Sequence, residues 1–413
     1  MDHDSTQSTD RRQFLQAGAF ASAAVVGAAS GTRSQEVAPP AEAAFPRRPL
    51  GKTGVEVTML NQGAIRGPSY DRLLRFAFAS GIRMFDTARV YGTEGNLRRW
   101  FEQAPEVRKQ IFLVTKDTPR TPKDLIEQLD RRLEALGTDF IDLFFIHGLG
   151  DDHSLDDAIN MVSSQEFKET AETIRKSGKA RFVGFSTHHK DRPQILQAAA
   201  KAGHVDAIML QYRPWLDKDA PLNRAIDACW EQGIGLISMK QIAGQFFGDA
   251  PQGNILDDVV ERVPTLKERN LTPFQGLLHA IWSDERISSV CCSMRNTEQI
   301  RENVDAAQRF EPLETADLNR LRDATLAHGP TLCANCDGRC SLAAGTRAAL
   351  GDLTRFLTYS RNLGDRTEAR RQYARLSAEA RDWSHADLSA AQAACPEHLD
   401  FARLLPEIDR HLT

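Results

Sequence analysis

The sequence predicts an α/β fold: a (β/α)8 barrel followed by a small helical extension that carries cysteines. Three observations lead there. Short apolar runs recur eight times with amphipathic helices between them, the alternation of a parallel sheet with crossover helices, and eight is the closure number of a TIM-type barrel. Beyond about Gly329 the composition shifts and cysteines cluster. No internal repeat is visible and no Gly-x-Gly-x-x-Gly follows the first run, so a solenoid and a doubly wound dinucleotide-binding sheet both lose support.

The chain opens with Thr9-Asp10-Arg11-Arg12-Gln13-Phe14-Leu15 and an Ala/Gly-rich apolar stretch to about Ala29. This reads as a twin-arginine signal, with residues 1–46 as signal and linker. A spanning helix needs about 20 strongly apolar residues, and this stretch is short and built mostly of Ala and Gly. Export by the twin-arginine machinery to the periplasm is the expectation; an unused signal leaves the protein cytoplasmic. The remaining composition, with 41% apolar and 26% charged residues and a formal net charge of -4, is that of an ordinary globular protein. Without a basic excess to neutralise phosphates, nucleic acid is not an expected partner.

The eight runs are Thr58 to Ala64, Arg83 to Asp86, Ile111 to Lys116, Phe140 to His147, Ala180 to Ser186, Ala207 to Gln211, Gly235 to Met239 and Ile287 to Ser293. Between the third and fourth, Thr121 is expected to cap a helix with Pro122 in its first position and Gly137 at its end; Leu125, Leu129, Leu133 and Leu136 share one face. Thr272-Pro273 opens another helix in the same way before Phe274, Leu277, Leu278 and Ile281. The barrel is expected over 47–328 and the extension over 329–413.

Barrel enzymes place chemistry at the carboxyl ends of strands, so the polar residues ending each run are the informative ones. Asp86 ends the second run, Tyr91 follows in its loop, Lys116 ends the third and His147 the fourth. Singly, each has an ordinary reading as a cap, a loop aromatic, a solvated charge or a core histidine. Together they make a catalytic set.

At these residues the chain resembles the aldo/keto reductase family. The likeness is carried by Leu50-Gly51-Lys52-Thr53-Gly54, Asp86-Thr87-Ala88 with Tyr91-Gly92, and Lys116. It continues through Ile141-Asp142-Leu143 to His147, then Gly184-Phe185-Ser186, and on to Ser293-Met294-Arg295 with Asn303. The resemblance implies an oxidoreductase that moves hydride between NADP(H) and a small carbonyl or alcohol, with Asp86, Tyr91, Lys116 and His147 as a tetrad. Carbonyl reduction builds negative charge on oxygen, which needs a donor and a proton. A phenol titrating near ~10 is tuned for that task by a neighbouring ammonium. Tyr91 is thus the expected acid/base, Lys116 its tuner, Asp86 the partner of Lys116, and His147 a neutral donor to the substrate oxygen.

By the same resemblance Ser186 and Gln211 lie near the nicotinamide carboxamide, Lys240 near the pyrophosphate, and Arg295, Gln299 and Asn303 around the adenosine, with Ser293 also binding the cofactor. A guanidinium beside the ribose suits a 2′-phosphate, so NADP is expected over NAD. One departure stands out: many relatives carry Asn after this serine, whereas Thr187, His188 and His189 follow Ser186 here. His188 and His189 are read as loop residues. Specificity is expected in Gly148 to Asp157 and Gly244 to Leu266, with Trp215 and Phe247 as pocket walls.

Cys333, Cys336 and Cys340, with a remote Cys395-Pro396, resemble a ferredoxin-type iron-sulfur appendage, and four thiolates support at most one 4Fe-4S cluster. The second spacing is one residue longer than in the bacterial run, and Ala391, Leu388 and His385 stand where a second cluster would need cysteines. A structural zinc fits four thiolates equally well. Cys229, Cys291 and Cys292 read as small apolar residues. Two other functions share the sequence signals: a nucleotide-binding redox sensor or partner-binding module with little turnover, and an enzyme passing electrons from the cluster to an external partner.

Overall fold

The computed structural model describes residues 45–412 apart from 68, 152, 190, 215–218, 241–258, 328–337, 362–365 and 396–398. The twin-arginine segment, Trp215, Phe247, Cys333 and Cys336 lie outside the described residues.

A short antiparallel hairpin, β1 (Arg47–Pro49) and β2 (Glu56–Thr58), precedes the barrel. The barrel strands are β3 (Leu60–Gln62), β4 (Met84–Asp86), β5 (Phe112–Asp117), β6 (Ile141–Ile146), β7 (Ala180–Thr187), β8 (Ala207–Gln211), β9 (Gly235–Met239) and β10 (Ile287–Cys292). They close in sequence order, with β10 pairing β3, and every barrel pairing is parallel. The first expected strand is corrected. Thr58 belongs to the hairpin, and the barrel begins two residues later, because the Thr58 hydroxyl donates to Leu60 O at 2.8 Å and turns the chain.

Alternation along each strand separates two apolar layers. Met84, Val114, Leu143, Phe145, Met209 and Ile237 fill the barrel, while Phe85, Leu113, Phe144, Phe185, Ile208 and Leu236 face the surrounding helices. The hairpin contributes Leu50 and Val57 to the inner layer. Its turn approaches the start of β9 so closely that a Cβ on Gly51, at φ +52°, would lie 2.2 Å from Gly233 O, so only glycine fits.

The helix after β5 spans Asp124–Leu136 and buries Leu125, Leu129, Leu133 and Leu136 as the spacing predicts, and Gly137 ends it in the left-handed conformation at φ +63°. Its cap differs from expectation. Thr121 does not cap, nor does any other side chain; the Asp124 carboxylate accepts from the Arg120 and Thr121 N–H groups at 2.9 and 2.8 Å and so holds the loop that precedes the helix. Helix Pro273–Trp282 does begin with a Thr272/Gln275 capping box.

The C-terminal extension is helical: Arg339–Ala343, Leu350–Arg361, Arg366–Arg375, Ala378–Arg381, Leu388–Ala394 and Phe401–Leu412. Leu353, Phe356, Leu357, Phe401, Leu404 and Ile408 belong to a separate apolar core there. Among the described residues no helix is long and apolar enough to cross a membrane.

Candidate active site

Strand alternation decides which polar residues enter the barrel mouth. Met84 and Val114 point inward, so Asp86 and Lys116, two residues further on, do too; Phe145 carries the same parity to His147, directly after β6. Tyr91 ends a short 3-10 turn, Arg89–Tyr91, between β4 and helix Glu94–Gln103. The four residues come from neighbouring strands and meet. Lys116 Nζ donates to both Asp86 carboxylate oxygens at 2.5 Å and to Thr87 O at 3.0 Å. Tyr91 Oη lies 3.3 Å from His147 Nε2, with the two rings edge to face, and Lys116 Nζ stands 5.4 Å from the Tyr91 ring centre.

Asp86 and Lys116 are almost completely buried, whereas Tyr91 and His147 are half-buried and reachable. Burial pushes the Asp86 carboxyl above its ordinary value, and the Lys116 ammonium opposes that rise. His147 is held well below its ordinary value, first by burial and then by the Lys116, Lys240, Arg89 and Arg371 cations. A neutral imidazole 3.3 Å from a phenol is able to donate to an oxygen placed between them.

The Tyr91 turn is clamped from both sides by residues whose role the sequence did not reveal. Arg66 donates to Val90 O at 2.7 Å and Tyr91 O at 3.2 Å. Arg89 pairs at 2.6 Å with Asp117, which follows Lys116; Asp117 also meets Arg132 at 3.2 Å, and Arg132 pairs with buried Glu94 at 2.7 Å. Thr87 and Thr93 hydroxyls join at 2.8 Å beneath the turn. No motif marks these residues, because their partners come from separate segments.

The residues expected at a nucleotide lie on the other arc of the mouth, at the carboxyl ends of β7 to β10. Ser186 and Gln211 are buried at the ends of β7 and β8; Ser186 Oγ accepts from Gly148 N–H at 3.1 Å. Lys240, one residue past β9, has φ +54°, a left-handed conformation uncommon for a side-chain-bearing residue. Ser293 and Arg295 are exposed just after β10, and Ser293 Oγ donates to Ala64 O at 3.2 Å. Gln299 and Asn303 lie on helix Thr297–Gln308, where Gln299 Oε1 accepts from Arg295 N–H at 2.7 Å. Thr187 turns away from the mouth, its hydroxyl donating to Leu149 O at 2.8 Å.

The aldo/keto reductase family model matches residues 58–325. The chain belongs to the aldo/keto reductase family. It is 23% identical over 328 residues to the L-glyceraldehyde 3-phosphate reductase of Escherichia coli K12, covering 66% of this chain and 91% of the relative. It is 27% identical over 250 residues to a methylglyoxal reductase of Salmonella typhi, covering 60% and 85%. An aldo-keto reductase of Bacillus halodurans shares the fold in its apo and holo forms, with TM-scores of 0.51 and 0.52 at 20% identity over 68% of this chain and 96% of that one.

In the extension, Cys340 and Cys395 are both buried in the same small core. Among the described residues no three His, Cys, Asp or Glu side chains are grouped to hold a metal; the other two cysteines of the expected set lie outside them. Cys229 is buried as expected, and burial pushes its thiol up to about 12. Cys291 and Cys292 are only half-buried by their neighbours.

Proposed function

We propose that this reductase-family chain reduces a small carbonyl, or oxidises the matching alcohol, with NADP(H), Tyr91 serving as general acid and base. The observation that carries this reading is the Tyr91 hydroxyl 3.3 Å from His147 Nε2 above the buried Asp86–Lys116 pair. The residues of the opposite arc would hold a nicotinamide cofactor, whose chemistry would be hydride transfer. His147, neutral near pH 7, donates to the substrate oxygen and polarises the carbonyl; Tyr91 gives that oxygen its proton as negative charge develops. Lys116 favours the phenolate that remains, and Asp86 offsets the Lys116 charge and fixes its position.

The polar residues on four adjacent strand ends fit a nucleotide. Ser186 and Gln211 would hold the carboxamide, Lys240 the pyrophosphate, and Ser293, Arg295, Gln299 and Asn303 the adenosine end, Arg295 favouring a 2′-phosphate. The reductases similar to this chain make short aldehydes the first substrates to try. The extension would hold one 4Fe-4S cluster on Cys333, Cys336, Cys340 and Cys395. The shared burial of Cys340 and Cys395 supports this, zinc being the rival. The N-terminal Arg-Arg pair supports export to the periplasm through the twin-arginine machinery.

The test is NADPH oxidation over a panel of aldehydes by anaerobically purified wild type and Tyr91→Phe, with nucleotide binding and metal content measured on the same samples. Loss of about 100-fold or more in kcat, with nucleotide binding retained, is expected. Undiminished turnover in folded Tyr91→Phe would remove Tyr91 from the mechanism. Tight nucleotide binding without wild-type turnover would favour a sensor. About four iron per chain would support the cluster, and zinc a structural clip.

A further inference from the structure

The two histidines after β7 have no place in the chemistry above, and the extension has none either; the structure joins them. Gly184 and Ser186 share the inward parity of β7, the register carries Ser186 level with His147 just after β6, and His188 follows two residues on, past the strand end. The loops after β6 and β7 interlock: His188 Nε2 lies 3.3 Å from Asp151 Oδ2, and His189 packs where a Cβ on Gly150 would sit. From the extension, buried Arg355 on helix Leu350–Arg361 donates to His188 O at 3.1 Å, while Asp352 fixes the same guanidinium at 2.9 Å. Arg371, on the next helix of the extension, is the last of the cations that depress His147.

A neutral ring carries its proton on the nitrogen nearer a carboxylate, here Nε2 at 3.3 Å from Asp151, which leaves Nδ1 as the acceptor. Nδ1 is enclosed and has no hydrogen-bond partner among the described residues, although 15% of the side chain stays exposed. A buried acceptor without a donor is costly, and a ligand arriving at the mouth can supply the donor.

We propose that the C-terminal extension completes the reductase site: Arg355 holds the loop after β7 so that His188 Nδ1 accepts a hydrogen bond from a donor on the bound ligand. The inference rests on the reductase reading. Two donors meet the chemistry, a hydroxyl beside the substrate carbonyl and the amide N–H of a nicotinamide. Arg355 acts through His188 and is a positioning residue.

The test uses full-length protein: wild type, His188→Phe, Arg355→Met, Arg355→Lys and the double variant His188→Phe/Arg355→Met. Steady-state kcat and KM are read for glycolaldehyde against acetaldehyde, and the NADPH Kd by fluorescence. If the donor is a substrate hydroxyl, each single variant raises KM for glycolaldehyde about tenfold and spares acetaldehyde. If it is the carboxamide, the NADPH Kd rises by a similar factor and the two aldehydes respond alike. In either case the double variant is no worse than the poorer single, and Arg355→Lys, which keeps a donor for the carbonyl, recovers part of the loss. Arg355→Met that folds and changes neither KM nor Kd overturns the proposal, as do losses that add in the double variant. Should Arg355→Met not fold, Arg355→Lys and His188→Phe decide by the same readouts. Absent wild-type turnover would fail the reductase reading instead, and the NADPH Kd would still test the tether.

Discussion

Lys116 and Asp86 are 1% and 4% exposed and sit 2.5 Å apart, so each neutralises a charge that water cannot reach. Removing one partner strands the other, at a cost of about 3–5 kcal/mol. Removing both and filling the space with apolar groups avoids the stranded charge, so Asp86→Leu/Lys116→Met should fall within roughly 1 kcal/mol of wild type. The expected non-additivity therefore exceeds about 3 kcal/mol, read from urea unfolding midpoints at constant m-value. All three variants should lose turnover, separating the pair's part in folding from its part in chemistry. The sign of the pH dependence is also fixed. In Lys116→Met nothing opposes burial, so the folded-state pKa of Asp86 rises further above its unfolded value near 3.8. That group's stabilising contribution is present below the unfolded pKa and is lost as pH rises through the folded one. Lys116→Met should thus close part of its deficit relative to wild type on acidification. Single variants costing less than about 1 kcal/mol, or costs that simply add, would refute the reasoning.

Further predictions follow from the same structure. His147 is depressed below its unfolded value near 6.5, so its stabilising contribution is present above that pH and lost as pH falls through the folded pKa. The stability difference between wild type and His147→Gln, measured by urea unfolding from pH 8 to 5, should move against wild type as the pH drops; a flat difference would mean the imidazole is not desolvated. A Cβ on Gly184 would lie 1.9 Å from Ala207 O, backbone that cannot yield, so Gly184→Ala should cost about 3 kcal/mol in chemical denaturation. Thr272→Ala removes one half of the capping box and should cost about 1 kcal/mol, recoverable with Ser at the same position.

The periodic features were legible early. A run of apolar residues with helices between reports local burial, and burial alternates with the same period whether or not the partner strands are known. The expected bounds of β8 and β9 therefore match the structure. The errors fall where a side chain decides a local turn: the Thr58 hydroxyl that ends the hairpin, and the Asp124 carboxylate that holds the loop before its helix while Thr121 caps nothing. The strand-end positions of Asp86, Lys116 and His147 were also readable, because a strand-end rule needs only the strands. Nothing local marks His188, because its contact comes from Arg355, far away in the chain.

By itself, then, the sequence determined the barrel, the strand-end placement of Asp86, Lys116 and His147, and the cysteine-bearing extension. Each follows from local periodicity or composition, which short-range chain geometry makes visible. Tertiary structure alone decided the 3.3 Å approach of Tyr91 to His147, the Arg66 and Arg89 clamps on the Tyr91 turn, and the Arg355 link from the extension to the loop after β7. Those contacts join segments that no period relates. They exist because barrel closure brings successive strand ends to one mouth, where an unpaired buried charge is costly.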